Sequence, residues 1–221
     1  MFNVYVKEMQ IDYPVSLPNI YAPHNAQCAL YAFAAGYTIG VEPERIVRGL
    51  QNFRTSGDRQ NVFKTQDGVV VYADCYNAVG RSMLSAIEAA NGIAVEGKRI
   101  AVLGDVAEAG SISLEMHRGI VRRVNDSDFS HLFTIGDEFR KALAEEPARE
   151  GLTIAQAKDL KELSYMVKGV VQKGDLVLFK ASHSSNLGQC IKMVWPKDFG
   201  ERIADTTNDE YNSWLQSVIR Y

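Results

Sequence analysis

Polar side chains that could bind a ligand follow four apolar stretches of this sequence, at the point where each stretch ends. These polar groups are residues 74–77, Gly104-Asp105, Gly136-Asp137 and residues 180–183. Carboxylates can hold an incoming ammonium group, and fixed cations can stabilise a transferring phosphoryl group. We assign function to Asp74 and Lys180, and we interpret Gly136-Asp137 as turn and helix-capping residues.

The elements that must position these groups alternate between strands and helices. Predicted strands cover residues 61–65, 69–73, 99–103, 131–135, 152–154 and 176–179, and predicted helices cover residues 82–91, 113–125, 138–145, 160–171 and 186–194. The alternation predicts an α/β fold, Rossmann-like, with a mostly parallel sheet and helices on both faces. Because a parallel sheet brings the carboxyl ends of its strands to one side, the four polar groups should converge.

The residues before this alternating region have a different pattern. Residues 2–13 alternate between apolar and polar and predict a strand or hairpin, and helical spacing follows over residues 25–39 and 42–52. The turn cluster at residues 55–58 is the best candidate for a boundary. A chain that opens within a strand is typical of a fragment, although an edge strand at a true N-terminus has the same pattern.

We therefore predict three regions: residues 1–54, residues 55–196, and a polar tail over residues 197–221 with a short amphipathic helix.

Composition excludes several classes of protein. A net charge of −3 gives no polycationic surface for nucleic acid, and no apolar run approaches the roughly 20 residues of a membrane span. Three widely spaced cysteines without a C-x-x-C pair predict neither a disulfide framework nor a zinc site, and they favour a cytoplasmic protein.

The sequence lacks two common nucleotide-binding motifs. Residues 92–99 have Walker A spacing, but Arg99 stands where a Ser or Thr must hold magnesium, and the stretch precedes a strand instead of following one. No G-x-G-x-x-G follows any predicted strand, which disfavours a nicotinamide-dependent oxidoreductase.

His24-Asn25 at the start of the first predicted helix could cap that helix or bind a ligand, and composition alone leaves both possibilities open. His117 lies in a predicted helix whose arginines should form a mostly solvated face.

Taken together, several motifs resemble the Mur ligase family. The string Asp74-Cys75-Tyr76-Asn77-Ala78, with Ser82-Met83, resembles the family's D-S-Y-N-A-N…S-M. Residues 102–110 resemble V-L-G-D-M-x-E-L-G, with His117 in register for the histidine that follows it. His24-Asn25 resembles the H-N of G-x-H-N-x-x-N-A-L-A, and Gly57-Asp58-Arg59 resembles the G-R that opens the C-terminal domain. The similarity is greatest to the members that add D-alanyl-D-alanine to a UDP-muramoyl tripeptide.

The resemblance implies the C-terminal portion of an ATP-dependent amide ligase of peptidoglycan precursor synthesis. In that family ATP phosphorylates a substrate carboxylate, the incoming amine attacks the acyl phosphate, and the products are the amide, ADP and phosphate. Carried over by position, Arg59 and Asp74 would contact the ribose and phosphates of ATP. His24 and Asn25 would lie beside the adenine. Residues 1–54 would be the end of the central ATPase domain, and residues 55–196 the C-terminal domain.

The resemblance also implies a pocket for the incoming amine, D-Ala-D-Ala or a similar molecule. Its lining would be Asn77, Asp105, Glu108 and Ser182, with Lys180 as a catalytic residue near the developing negative charge. The family's phosphate loop and Mg²⁺ ligands belong to its ATPase domain, so we expect no metal ligands in this chain and no ligation by the chain alone. The partners implied are a UDP-muramoyl peptide, an amino acid or dipeptide, and the ligase's own N-terminal and central domains.

Some positions depart from the family pattern. Cys28 replaces the second Asn of the H-N-x-x-N element, and Ala181 and His183 replace the Gly and Arg of the usual K-G-S-R. These changes leave a second hypothesis open, in which a diverged, non-catalytic nucleotide-binding or regulatory module keeps the same fold.

Overall fold

The computed structural model describes residues 1–17, 24–53, 55 and 58–199, and of residue 24 only the backbone. The chain divides into two compact units, residues 1–55 and residues 56–221. Gly57 and the predicted amphipathic helix near residues 211–219 lie outside the described residues.

The first unit is a hairpin followed by two helices. Its elements are β1 (Phe2–Val6), β2 (Ile11–Val15), α1 (His24–Thr38) and α2 (Pro43–Gln51). The two strands are antiparallel, and their alternating residues Val4, Val6, Tyr13 and Val15 are buried in a common core with Phe33. Both the predicted hairpin and the two predicted helices are confirmed.

The second unit is a six-stranded sheet with helices. Its strands are β3 (Asn61–Lys64), β4 (Val70–Asp74), β5 (Arg99–Gly104), β6 (Phe129–Ile135), β7 (Thr153–Ala157) and β8 (Leu176–Lys180). Its helices are α3 (Gly80–Gly92), α4 (Ser113–Asn125), α5 (Asp137–Glu145), α6 (Leu160–Val170) and α7 (Leu187–Val194). Within the described parts of the chain, none of the helices is both long and apolar enough to cross a membrane.

The order of the strands across this sheet is β3-β4-β8-β5-β6-β7. Strand β3 is antiparallel to β4, and every other neighbouring pair is parallel. The predicted mostly parallel α/β fold is therefore confirmed. Every residue of β4 and β8 is buried, which accounts for their continuous apolar sequences, because strands in the centre of a parallel sheet are covered on both faces.

The residues just after α7 pack against strands β3 and β8 of the sheet. The ring of Phe199 lies 5.9 Å from that of Phe63, and the ring of Trp195 lies 6.2 Å from that of Phe179. The backbone N–H of Gln66 donates to Asp198 Oδ1 at 3.0 Å. The packed unit thus extends to Phe199, three residues into the stretch assigned to the tail.

The cysteines differ in exposure, and this difference predicts their reactivity. Burial raises the pKa of the Cys75 thiol well above its usual value and that of Cys190 to about 12, whereas Cys28 is exposed on α1. Because the thiolate is the reactive form, we expect a disulfide reagent at neutral pH to modify one thiol of the folded chain rapidly and all three after denaturation. Absorbance of the released thiol measures this, and Cys28→Ser should remove the rapid phase. Rapid modification of two thiols in the folded chain would contradict the structure.

Candidate ligand site at the carboxyl edge of the sheet

Asp74 and Lys180 form a buried ion pair at the carboxyl edge of the central sheet. Asp74 ends β4, Lys180 ends β8, and the two residues are partners in the parallel register. The Lys180 ammonium lies 2.9 Å from Asp74 Oδ2, and the two residues are only 1% and 7% exposed. The expected convergence of these two strand ends is therefore observed.

The Lys180 ammonium also holds the chain that follows β4. It donates to the carbonyl oxygens of Asn77 at 2.7 Å and of Asp74 at 3.4 Å. A lysine ammonium has three N–H donors, and three acceptors surround this one. Lys180 thereby fixes the loop from Asp74 to Asn77, while the Asn77 side chain remains exposed.

The segment that opens the second unit is attached to the same loop. The backbone N–H of Gln60 donates to Asp74 Oδ1 at 3.2 Å, and the backbone N–H of Cys75 donates to the Asp58 carbonyl at 2.8 Å. The Arg59 guanidinium lies over the Tyr76 ring, 3.3 Å from its centroid. Arg59 and Asp74, the two residues of this unit predicted to contact ATP, are thus brought together.

Two aromatic residues of the site were not assigned from the sequence. The ring of His183 lies 5.5 Å from that of Tyr76, at an interplanar angle of 47°. Both residues are exposed, although Tyr76 directly follows two buried residues. The signal available in the sequence was the position of Tyr76 inside the polar motif that follows β4.

Asp105, after β5, caps a helix. Its two carboxylate oxygens accept the backbone N–H groups of Glu138 and Phe139, each at 3.0 Å, in the first turn of α5. Gly136 has φ +116°, so the turn interpretation is confirmed. The capping interpretation holds for Gly136, which occupies the N-cap position of α5, but it is wrong for the Asp137 side chain. The carboxylate that caps the helix is that of Asp105, whereas Asp137 is exposed and pairs with Arg140.

Ser182 connects the ends of β8 and β5. Its hydroxyl accepts the backbone N–H of Ala107 at 2.8 Å, and its own N–H donates to the Asp105 carbonyl at 3.3 Å. These two bonds bring the predicted amine-pocket residues Asp105 and Ser182 together. Glu108, the fourth of that group, is exposed in the following turn and has φ +60°, a left-handed conformation that is uncommon for glutamate.

His117 lies beneath this loop and does not belong to a solvated face. It is completely buried, its Nε2 accepts the backbone N–H of Val106 at 3.0 Å, and its Nδ1 lies 2.7 Å from the Ser113 carbonyl. Nδ1 must therefore carry the proton in this arrangement, and the ring is neutral. The arginines near it, Arg118, Arg122 and Arg123, are half-buried and pair with glutamates, whereas the 3.6-residue helical period turns His117 inward.

The remaining predicted site residues, His24 and Asn25, open α1 of the first unit. Their contact with adenine stays a prediction. Among the described residues, no group of three or more His, Cys, Asp or Glu side chains could hold a metal ion. Asp74 and Asp105 each accept a hydrogen bond or an ion pair on both carboxylate oxygens.

The mostly parallel sheet with helices, and the polar groups that meet at its carboxyl edge, define a Rossmann-like α/β domain of the class that binds ligands at that edge. Sequence comparison identifies the family. The sequence profile described as "Mur ligase, glutamate ligase domain" matches residues 58–183, more than half of the chain. The chain therefore belongs to the Mur ligase family. The match includes Arg59, Asp74 and Lys180.

Curated relatives indicate which members of the family this chain resembles. The chain is 32% identical over 175 residues to the UDP-N-acetylmuramoyl-tripeptide--D-alanyl-D-alanine ligase of Bacillus subtilis, covering 78% of this chain and 38% of that protein. It is 29% identical over 171 residues to the enzyme of the same name from Treponema pallidum, covering 77% and 36%. The chain thus spans little more than a third of the length of these relatives.

Solved structures share the fold. The MurF ligase of Thermotoga maritima, in complex with ADP, superposes with a TM-score of 0.71 at 23% identity, over 86% of this chain and 42% of that one. A MurF crystal structure from Acinetobacter baumannii gives a TM-score of 0.71 at 24% identity, over 79% and 38%. At these identities the likeness establishes the fold alone.

Proposed function

We propose that this chain is the C-terminal portion of an ATP-dependent ligase that joins D-Ala-D-Ala, or a similar amine, to a UDP-muramoyl peptide in the cytoplasm. The observation that carries the proposal is the family match over residues 58–183, together with the meeting of Arg59, Asp74 and Lys180 at one sheet edge. The names of the Bacillus and Treponema relatives support the choice of amine.

In the proposed reaction, a carboxylate of the UDP-muramoyl peptide takes the γ-phosphoryl group of ATP, and ADP is released. The neutral amine nitrogen then bonds to the acyl carbon and loses a proton to solvent, the bond from the acyl carbon to the phosphate oxygen breaks, and phosphate leaves. Arg59 is exposed and offers in-plane N–H donors to phosphate oxygens, and Asp74 offers its carboxylate to a ribose hydroxyl. In the first unit, His24 and Asn25 would lie beside the adenine.

For Lys180, the contacts of its ammonium group favour a positioning role over the catalytic role that the resemblance implies. Its three acceptors and its burial support a positioning role, in which it holds Asp74 and the Asn77 loop without touching the reacting atoms. Asp105, Glu108, Asn77 and Ser182 remain our proposed lining for the amine. Each Asp105 oxygen has more than one lone-pair site, so capping α5 is compatible with holding an ammonium group.

The proposal requires parts that the described residues do not form. We infer that the phosphate loop and the Mg²⁺ ligands belong to other domains of the same ligase, its N-terminal and central domains. We therefore expect the 221-residue chain to release no ADP from ATP, UDP-muramoyl tripeptide and D-Ala-D-Ala, whereas the complete ligase polypeptide releases it. A coupled ADP assay measures both. ADP formation by the chain alone, or an inactive complete polypeptide, would contradict the proposal.

Two matched substitutions in the complete polypeptide separate the proposed subsites. Asp74→Asn should raise the KM for ATP and also lower the stability of the second unit, because it leaves the buried Lys180 ammonium without its carboxylate. Asp105→Asn, which keeps one oxygen for the α5 cap, should mainly raise the KM for the amine. Loss of a charge-assisted bond predicts roughly a tenfold change or more in each case. Asp128→Asn, at an exposed position before β6, is the control. Identical effects of both substitutions on both constants would reject the subsite assignment.

A second candidate, a non-catalytic nucleotide-binding or regulatory module, is favoured by one observation. His183 replaces the arginine of the family's K-G-S-R and lies against Tyr76, where it cannot reproduce bidentate arginine contacts. ATP binding by the complete polypeptide without ADP release would favour this candidate over the ligase.

A further inference from the structure

Tyr76 presents an exposed aromatic ring to a cation at the carboxyl edge. Its residue exposure is 44%, and the Arg59 guanidinium carbon lies 3.3 Å from the ring centroid. At this distance the cation is well inside the range of a cation–π contact. The contact joins an exposed arginine on the segment that opens the unit to the loop that follows β4.

The two sides of this contact are held by different bonds. The Tyr76 backbone lies between Asp74, whose carboxylate pairs with Lys180, and Asn77, whose carbonyl accepts from the same ammonium. Arg59 is followed by Gln60, whose N–H is bound to Asp74. The ring is thus part of a fixed loop. Among the residues that the structure describes, the Tyr76 ring is the contact that orders the long Arg59 side chain.

The geometry leaves the arginine able to bind an anion. A guanidinium that stacks on a ring uses its face, and its N–H donors lie in its plane, directed away from the contact. Phosphate oxygens accept such in-plane donors, often two at a time. Stacking on Tyr76 therefore orders Arg59 before the anion arrives without occupying the donors that the anion needs.

We propose that Tyr76 is a positioning residue that orders Arg59 for the phosphates of ATP. The inference rests on the proposed function, because it takes Arg59 as a phosphate ligand. The ring of Tyr76, and not its hydroxyl, performs this task. His183 supports the ring from its own position 5.5 Å away.

The test compares Tyr76→Leu with Tyr76→Phe in the complete polypeptide. Losing an exposed cation–π contact should raise the KM for ATP about three- to fivefold and leave kcat unchanged. Tyr76→Phe keeps the ring and should behave like the unsubstituted protein. Tyr165→Leu makes the same change at an exposed position of α6, 60% exposed, and is the matched control. An unchanged or lower KM in Tyr76→Leu, or equal effects of Leu and Phe, would overturn the inference.

A double substitution shows whether Tyr76 acts through Arg59. Arg59→Ala should raise the KM for ATP about ten- to a hundredfold, as expected for a charge-assisted bond. Adding Tyr76→Leu to Arg59→Ala should cause no further rise, because the residue being positioned is gone. Independent, multiplying effects would mean that Tyr76 acts by another route and would overturn the inference.

Two readouts separate this inference from the proposed function. If the unsubstituted complete polypeptide forms no ADP, the ligase proposal fails. The inference about Tyr76 is then tested with the Kd for ATP in place of the KM, and each variant should change the Kd by the factor given above for the KM. In the 221-residue chain, ring currents should shift the Arg59 side-chain protons upfield in NMR spectra of the unsubstituted and Tyr76→Phe forms, but not of Tyr76→Leu. Equal Arg59 shifts in all three forms would refute the stacking itself.

Discussion

Lys180→Met should lower the free energy of unfolding of the second unit by about 3–5 kcal/mol. Methionine fills much of the same volume, but it leaves the buried Asp74 carboxylate without its cation and the Asn77 carbonyl without its donor. Denaturation by urea, followed by tryptophan fluorescence, measures the change, because Trp195 is buried in this unit.

Two further variants test the cause of this loss. Lys192→Met, at an exposed position of α7, should change the free energy of unfolding by no more than about 0.5 kcal/mol. The double variant Asp74→Asn/Lys180→Met should recover part of the loss, because it no longer buries an unpaired charge. A destabilisation below about 1 kcal/mol in Lys180→Met would show that Asp74 and Lys180 do not form a buried ion pair in the folded chain.

Gly136→Ala should destabilise the second unit by about 2–4 kcal/mol, as the sum of backbone strain and a lost helix cap. Residue 136 has φ +116°, a conformation that disfavours a side chain, and a methyl group there would overlap the Asp105 carboxylate. Asp105 would have to move away from the N–H groups of Glu138 and Phe139. The same urea titration measures this effect.

A glycine inside a helix supplies the matched control. Gly119→Ala in α4 meets no atom within 4 Å and should stabilise the chain by up to about 1 kcal/mol, since alanine is the better helix former. With Asp105→Ala, the added cost of Gly136→Ala should shrink, because the clash is gone. Equal stability of Gly136→Ala and the unsubstituted chain would mean that the Asp105 cap is dispensable.

Local sequence patterns were sufficient for the fold class and for part of the site. Alternating apolar stretches and helical spacing predicted the mostly parallel sheet, and Rossmann-like geometry then implied that Asp74 and Lys180 end on one edge. The same patterns identified residues 74–77 and Gly104-Asp105 as ligand-edge groups. The family profile over residues 58–183 confirms the resemblance that those motifs indicated.

The sequence by itself thus determined which elements form and which family they belong to, because periodicity and motif spacing are local properties. Only the tertiary structure decided what the polar residues touch. Strand β8 is the last strand of the described residues, yet it lies between β4 and β5. Lys180 is therefore buried against Asp74, and Ser182 bridges to the Asp105 loop. The Asp105 cap and the Arg59–Tyr76 stack also join residues that are far apart or differently oriented along the chain. These contacts depend on strand order and backbone direction, so the local spacing of residues could not predict them.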